Sequence, residues 1–292
     1  MKTRNIHPGI DMIQVGDFHS CYLIRDESLA LVETPHPGEA GELIEGLAAL
    51  GVRPQDLKCL ITTHIHLDHA GAAGHLAREN PNLIVFVHEI GAPHLINPER
   101  INQSARRSYG PAIEVIGEML PIPKEQIHPL TDGDEINLGR TRWQILNTPG
   151  HARYHICLFE EKEKILFSGD ALGCLYPGAP LYLVAPAPEY DFELSLKSIA
   201  RLESLKPEMV VFTHLGPSRD KTVFEECRKQ HRLWVKAIAK VLKFTPDAEP
   251  IEILRLIAED IPVVKNFPQY SGSYILNIGG IRRYLLKKSS PA

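Results

Sequence analysis

The chain of 292 residues has a globular composition, with 43% hydrophobic and 23% charged residues and a formal net charge of −4. These proportions exclude a disordered, collagen-like or low-complexity protein, and the length corresponds to about two domains. No apolar run approaches the roughly 18 residues of a membrane helix, and the first residues lack the apolar core of a signal peptide. We therefore expect a cytoplasmic protein without a membrane segment. Five scattered cysteines with no Cys-x-x-Cys pair argue against a disulfide framework.

The first half of the chain alternates short strands with helices. Runs of apolar and β-branched residues predict strands, and a helical spacing of apolar residues predicts helices. The predicted strands are 11–15, 21–25, 29–33, 58–63 and 83–88, and the predicted helices are 39–50 and 69–78. Residues 91–123 also have a helical pattern, which five prolines interrupt, and we predict a helical insertion there.

A second block rich in strands follows, and the last quarter of the chain is helical in pattern. The predicted strands are 135–138, 142–147, 155–160, 165–168 and 209–213, with a helix at 192–205. Two strand-rich halves with intervening helices predict an α/β fold in which two β-sheets pack together and helices cover both faces. We predict a main domain over residues 1–218 and a helical C-terminal extension over residues 219–292, packed on that domain.

The predicted extension is basic, whereas the rest of the chain is acidic. Residues 219–292 contain 14 Lys and Arg against 8 Asp and Glu, and the remaining residues contain 18 against 28. Such a surface can bind nucleic acid or an anionic carrier, but no aromatic interleaving or nucleic-acid motif accompanies it. A solvated helix face is the preferred interpretation, and nucleic acid is disfavoured as a partner.

The most informative segment follows the predicted strand 58–63 directly. It reads Thr63-His64-Ile65-His66-Leu67-Asp68-His69 and places three imidazoles and one carboxylate within six residues. These groups bind borderline metals such as zinc, iron or manganese. In an extended loop the two histidines of His-x-His lie on the same side, and the next two polar residues then turn at a helix start. The segment therefore predicts metal binding.

Three later strands also end in a residue that can bind a metal. His151 follows a Pro-Gly turn after one strand, Asp170 follows Ser-Gly after the next, and His214 follows the last predicted strand. Together the four strand ends supply seven ligands, which is enough for two ions.

In this order the motifs Thr-His-x-His-x-Asp-His, Thr-Pro-Gly-His, Ser-Gly-Asp and Thr-His resemble those of the metallo-β-lactamase superfamily, and the resemblance spans roughly residues 10–216. It implies a four-layer αβ/βα sandwich with the metals at one edge, so that residues 1–218 form the catalytic domain. It also implies the ligand set: His64, His66 and His151 for one metal ion, Asp68, His69 and His214 for the other, and Asp170 as the bridging carboxylate.

The resemblance narrows the branch of the superfamily. In β-lactamases with a zinc-binding cysteine, that cysteine occupies the position of Asp170, so hydrolysis of an antibiotic is disfavoured. In flavodiiron proteins a carboxylate occupies the position of His66, so that branch is disfavoured as well. The inserted domain of the RNA-cleaving members needs more than the 33 residues of 91–123. The full ligand set is similar to that of hydroxyacylglutathione hydrolases and acyl-homoserine lactonases. One departure is the sequence at 212–216, Phe-Thr-His-Leu-Gly, where many relatives have Pro-Gly-His-Gly.

The implied chemistry is hydrolysis of an ester, thioester or lactone. Two divalent ions, zinc in preference to iron or manganese, can share a bridging hydroxide and polarise the substrate oxygen. Asp68 or Asp170 is the expected proton acceptor after attack. A mononuclear-iron persulfide dioxygenase of the same superfamily, a nuclease or phosphodiesterase, and a binding module without turnover are the alternatives.

Weaker signals concern the substrate, which we expect to be a small acyl compound. The apolar loop 175–185 can form a substrate wall, with Tyr176 or Tyr182 as a hydrogen-bond donor, or a packing surface such as the interface of a homodimer. Arg100, Arg106 and Arg107 can reach an anionic group or form a solvated helix face.

Six further histidines are more consistent with a structural role than with metal binding: His19, His36, His75, His88, His94 and His155. Of these, His155 is also a candidate to orient the site.

Overall fold

The computed structural model describes residues 2–175, 185, 189–267 and 270–289. Contacts divide the chain into two compact units. The first unit contains Met1–Asn147, Ile156–Gly169 and Glu208–Ser218, and the second contains Thr148–His155, Asp170–Pro207 and Arg219–Ala292. The predicted packing of residues 219–292 on the sandwich domain stays a prediction.

Two β-sheets form the first unit. The first sheet has the order β1 (Lys2–His7), β2 (Ile10–Val15), β3 (His19–Arg25), β4 (Leu29–Val32), β5 (Cys59–Ile61), β6 (Ile84–His88) and β7 (Ile127–Leu130). The second sheet contains β8 (Glu135–Asn137), β9 (Arg142–Asn147), β10 (Ile156–Glu160), β11 (Ile165–Gly169), β12 (Met209–Phe212) and β13 (Gly216–Ser218), in the order β13-β12-β11-β10-β9-β8.

Parallel pairing aligns the strand ends that matter for function. In the first sheet β4, β5 and β6 run parallel to one another, and in the second sheet β11 and β12 are parallel neighbours. The carboxyl ends of parallel neighbours lie at the same edge of a sheet. The loops that leave β4 and β5 therefore start side by side, and so do the loops that leave β11 and β12.

A shared apolar core holds the two sheets together. The core includes Tyr22 and Ile61 from the first sheet and Trp143, Phe167 and Val211 from the second. The ring of Phe167 lies 5.3 Å from that of Tyr22 and 5.2 Å from that of Trp143, measured between centroids. Each fully buried large side chain contributes about 1.5–3 kcal/mol. This packing confirms the predicted α/β sandwich.

Three of the four edge strands were not predicted from the sequence. These strands, β1, β7 and β13, lack the apolar pattern of the interior strands because one side of each has no neighbouring strand within the described part of the chain. β1 carries Lys2 and Arg4, and proline stands within β7 at Pro129 and within β13 at Pro217. Proline lacks the N–H that a central strand needs, so it is confined largely to sheet edges.

The helices of the first unit follow the predicted segments, with one break. They are α1 (Ala40–Ala49), α2 (Leu67–Ala70), α3 (Ala73–Glu79), α4 (Ala92–Ile96), α5 (Glu99–Tyr109) and α6 (Ile113–Ile116). The predicted helix 69–78 is divided between α2 and α3, because the N–H of Ala72 donates to the carbonyl of Pro35 at 3.0 Å. This bond ties the histidine-rich loop to the segment that follows β4.

The described part of the second unit is mainly helical. Its helices are α7 (Phe192–Ser204), α8 (Val223–Phe244), α9 (Pro250–Ile257), α10 (Pro262–Asn266) and α11 (Ser271–Ser289). It has an apolar core of its own, which includes Ile253 and Ile278. In this core the ring centroids of Trp234 in α8 and Tyr274 in α11 are 5.8 Å apart. Four of these helices, α8 to α11, lie within residues 219–292, and the boundaries of the predicted extension stay a prediction. Among the described residues, no helix has the length and apolar character to cross a membrane.

Candidate metal centre

The loop after β5 carries the first two predicted ligands. His64 is fully buried, and its Nδ1 lies 3.0 Å from Oγ1 of the preceding Thr63. This contact turns Nε2 of His64 toward His66, whose Nδ1 is 2.9 Å away. His66 is still in extended conformation and precedes α2. The His-x-His alternation thus brings two ring nitrogens together, as the sequence predicted.

Glu33, directly after β4, supports this loop and was missed by the sequence reasoning. Its buried carboxylate accepts a hydrogen bond from the backbone N–H of Thr63 at 2.6 Å and contacts Nδ1 of His69. The hydroxyl of Thr213, next to His214, lies 3.3 Å from the same carboxylate. A histidine that binds a metal commonly donates its other ring N–H to a carboxylate. Glu33 gives His69 this arrangement. The only sign of this role in the sequence is an acidic residue directly after a buried strand.

Asp68, His69 and His214 converge on one point in the first unit. Nε2 of His69 and Nε2 of His214 each lie 3.7 Å from Oδ2 of Asp68, and the three potential ligand atoms are all within 4.8 Å of one another. Burial opposes ionisation of Asp68, but the positive charge of the surrounding histidines, His69 above all, outweighs it and lowers the pKa of Asp68. An ionised carboxylate with two imidazoles is a donor set that zinc accepts.

The position of His214 depends on pairing between β3 and the residues after β12. The N–H of Ser20 donates to the carbonyl of Thr213 at 2.7 Å, and His19 and His214 form an isolated antiparallel bridge. The following Leu215 has φ 68°, a left-handed conformation that glycine adopts with less strain. Leu215 lies within the segment 212–216 discussed above, and the chain makes this turn with leucine instead of glycine.

The other two predicted ligands lie together in the second unit. Nε2 of His151 is 3.5 Å from Oδ2 of Asp170, and both residues are buried. His155 supports them: its Nε2 accepts the backbone N–H of Asp170 at 3.1 Å, while its Nδ1 lies 2.8 Å from Oγ1 of Thr148. His155 therefore orients Asp170 and is itself engaged on both ring nitrogens.

Close packing against α7 fixes the turn that carries His151. Gly150 has φ 143°, and a Cβ atom there would lie 2.5 Å from Cα of Ser195. The carbonyl of Gly150 accepts the N–H of Asp191 at 2.8 Å, and the hydroxyl of Ser198 donates to the carbonyl of Pro149 at 2.7 Å. Glycine is thus needed at position 150 for two reasons. Helix α7 leaves no room for a Cβ atom, and the chain turns there with a positive φ.

The predicted substrate contacts have mixed outcomes. Tyr176 and Tyr182 lie outside the described residues. The guanidinium of Arg106 is engaged by both carboxylate oxygens of Glu118, at 2.5 and 2.6 Å, which favours the solvated-face interpretation for this arginine. Tyr109, at the end of α5, is different: burial and the charge of Asp68 both raise the pKa of its hydroxyl. The raised pKa keeps the hydroxyl of Tyr109 neutral at physiological pH.

Comparison with known proteins agrees with the motifs. Residues 15–214 match the family model of the metallo-beta-lactamase superfamily. A hydroxyacylglutathione hydrolase of Bdellovibrio bacteriovorus is 26% identical over 225 residues, which cover 75% of this chain and 71% of that protein. The acyl-coenzyme A thioesterase MBLAC2 of Gallus gallus is 28% identical over 187 residues, or 62% of this chain and 63% of that protein. The chain thus spans about two thirds of the length of the curated relatives it matches.

Solved structures show the same fold. The metallo-beta-lactamase family protein TTHA1429 from Thermus thermophilus superposes with a TM-score of 0.73 at 24% identity. The superposition covers 97% of this chain and 95% of that one.

Proposed function

The chain belongs to the metallo-beta-lactamase superfamily, and from this membership we propose that it is a metal-dependent hydrolase acting on an ester, thioester or lactone. The observation that carries the proposal is the convergence of Asp68, His69 and His214, with Glu33 behind His69. The reaction requires metal ligands whose orientation is fixed before substrate binds, and the buried Glu33 carboxylate provides that orientation.

We assign the ligands to two divalent ions, with zinc preferred over iron or manganese. His64, His66 and His151 are proposed for one ion, Asp68, His69 and His214 for the other, and Asp170 for both. The order of the strands supports the proposed role of Asp170 as a ligand of both ions. Asp170 directly follows β11, His214 closely follows β12, and these two strands are parallel neighbours.

The proposed chemistry is attack of water on an acyl carbon. Bound divalent ions supply a water of lowered pKa and a positive charge beside the substrate oxygen. Within the protein, Asp68 and Asp170 are the proposed acceptors of the proton that the attacking water releases. Tyr109, Tyr176 and Tyr182 are proposed donors to the substrate oxygen, since a neutral hydroxyl stabilises developing negative charge without adding a charge of its own.

An acyl substrate is favoured over a phosphodiester. The two relatives described above are named for the hydrolysis of hydroxyacylglutathione and of acyl-coenzyme A, and both compounds are thioesters. The loop 175–185 contains no charged residue, so it suits an acyl chain better than a polyanion.

The basic helix α8 gives little support to nucleic-acid binding. Several of its cations are neutralised within the second unit: Arg228 pairs with Glu203 at 2.8 Å, and Lys229 with Glu226 at 3.0 Å. Nucleic-acid affinity depends on cations that release counterions from phosphates. We therefore propose a small molecule as the partner of the site.

Metal analysis followed by a substrate panel tests the proposal. Elemental analysis of the purified protein is expected to give two divalent ions in the proposed ligand set. The panel compares kcat/KM for a lactone, a thioester, an aryl ester and bis(p-nitrophenyl) phosphate. A tenfold preference for the phosphodiester, about 1.4 kcal/mol in transition-state stabilisation, contradicts the acyl assignment. One iron per chain with oxygen uptake on glutathione persulfide would instead indicate the dioxygenase.

A further inference from the structure

A second group of potential metal ligands lies in the first unit, outside the proposed set of seven. It consists of His19 at the start of β3, His36 after β4, and Glu39 in the short turn that leads into α1. Nδ1 of His19 lies 3.1 Å and Nδ1 of His36 lies 3.3 Å from the same carboxylate oxygen, Oε2 of Glu39. Two imidazoles from separate segments thus face one acid.

These separations are within about 0.2 Å of the spacing of ligands around a small tetrahedral ion. Zinc ligands lie about 2.0–2.2 Å from the metal, so two ligand atoms at corners of a tetrahedron are about 3.3–3.6 Å apart. The three candidate ligand atoms all lie within 4.8 Å of one another, and the two rings are tilted by 74° with centroids 4.6 Å apart. The tilt lets both nitrogens point at a common position rather than stack.

The local backbone holds this group in place. Pro37 follows His36 and begins the turn, and the N–H of Glu39 donates to the carbonyl of His36 at 3.0 Å. The neighbouring Gly16 has φ 54°, and a Cβ atom there would lie 2.6 Å from Oε1 of Glu39. Any larger residue at position 16 would displace the carboxylate, so the absence of a side chain is part of the arrangement.

The charge of the group also suits a cation. Burial opposes ionisation of Glu39, but its hydrogen bonds with His19 and His36 outweigh that effect and lower its pKa to about 2. On its far side, Nε2 of His19 faces Oδ2 of Asp68 at 3.9 Å. The negative charge of Asp68 therefore lies near the group as well.

We propose that His19, His36 and Glu39 bind a third divalent transition-metal ion, with zinc as the preferred occupant. Two histidines and one glutamate leave a fourth coordination position for water or for an anionic group of a substrate. Because His19 lies between Glu39 and Asp68, a cation here is repelled by any cation held at Asp68. We therefore expect the third ion to bind more weakly than the other two and to leave first on dialysis.

Metal titration of matched variants tests this site without relying on activity. Wild-type protein, stripped with chelator, is titrated with zinc by calorimetry and in parallel with cobalt, whose visible absorption reports tetrahedral binding. The test variants are Glu39→Gln and His36→Ala, and the control is His128→Ala, which removes an exposed histidine from β7. We expect both test variants to bind one ion fewer per chain than wild type, and the control to match wild type.

Equal stoichiometry in wild type and in both test variants overturns the third site and indicates an ordinary hydrogen-bonded group. His36 is only half-buried, so His36→Ala keeps the test valid if Glu39→Gln does not fold. Failure of the proposed function would give a different result. The test variants are altered only at the third site, so they would then bind fewer than two ions per chain. Three ions per chain in wild type with a loss of one ion in both variants support the proposal.

Discussion

At the scale of single residues, Glu33 connects several parts of the candidate centre in the first unit. It contacts the backbone of Thr63, the ring of His69 and the hydroxyl of Thr213, which lie on two separate segments of the first unit. It also adopts φ 68°, which a residue other than glycine does at a cost of about 1–2 kcal/mol. The fold keeps this strain because one carboxylate then orders two loops.

Replacing Glu33 by Gln tests this role. The amide keeps the shape but loses the charge that faces His69, so we expect the affinity for one ion to fall by about 10–100-fold. Competition with a chelator of known affinity measures the change. The control is Glu42→Gln, which alters an exposed acid of α1. An affinity equal to wild type in Glu33→Gln would show that His69 needs no support from this residue.

Asp170→Ala addresses the proposed bridging ligand. In protein dialysed to remove the weaker third ion, we expect the metal content to fall below two ions per chain and turnover to fall at least about 100-fold, because the carboxylate proposed to compensate both cations is removed. Circular dichroism should remain close to wild type, since the fold rests on the apolar core between the sheets. Elemental analysis and kinetics on one preparation provide the measurement. Two ions and full activity in this variant would refute the ligand assignment.

At the scale of elements, the interior strands were predictable and the edges were not. Of the strands that lead to the ligands, β5, β11 and β12 are buried along their whole length, whereas β9 alternates buried Trp143 and Ile145 with exposed Arg142 and Gln144; each strand ends at a recognisable motif. The edge strands lack that pattern. His19, His36 and Glu39 were also beyond prediction as a group, because their contact depends on pairing between distant segments and leaves no local spacing in the sequence.

Gly150→Ala tests the packing of the turn against α7. The new methyl group would overlap Ser195, and relieving the overlap must move either the helix or the loop. We expect a loss of about 1–3 kcal/mol in the free energy of unfolding, together with weaker metal binding at His151. Urea denaturation measures the first effect and chelator competition the second.

Gly41→Ala is the matched control for this substitution. Gly41 lies in α1, and a Cβ atom added there would have no other atom within 4 Å, so alanine should be neutral or stabilise the protein by up to about 1 kcal/mol. Equal stability of the two variants would show that the approach of α7 does not constrain the turn.

At the scale of the whole molecule, the second unit is expected to respond to acid through a buried histidine. Burial, and to a lesser extent the charge of His151, lowers the pKa of His231 to about 3, and its Nδ1 lies 2.8 Å from the hydroxyl of Tyr190. In the unfolded chain a histidine titrates at about 6.5. Between these two values the unfolded state binds the extra proton, so acidification favours unfolding.

The expected result is full stability above about pH 6.5 and a loss approaching 1.4 kcal/mol per pH unit below it from this residue. Thermal unfolding of wild type and His231→Gln at pH 7, 6 and 5 measures the effect. The variant lacks the titrating group, so its melting temperature should fall less between pH 7 and pH 5. Parallel curves for the two proteins would mean that His231 does not contribute to the acid response.

The edge strands that were hard to predict have a consequence for behaviour at high concentration. An edge with unpaired N–H and carbonyl groups invites a strand from another molecule, and this is a common route to aggregation. Here β7 and β13 each contain a proline that cannot donate, and β1 presents the charges of Lys2 and Arg4. Features that weaken the strand signal in the sequence therefore also discourage sheet-to-sheet association between copies of the chain.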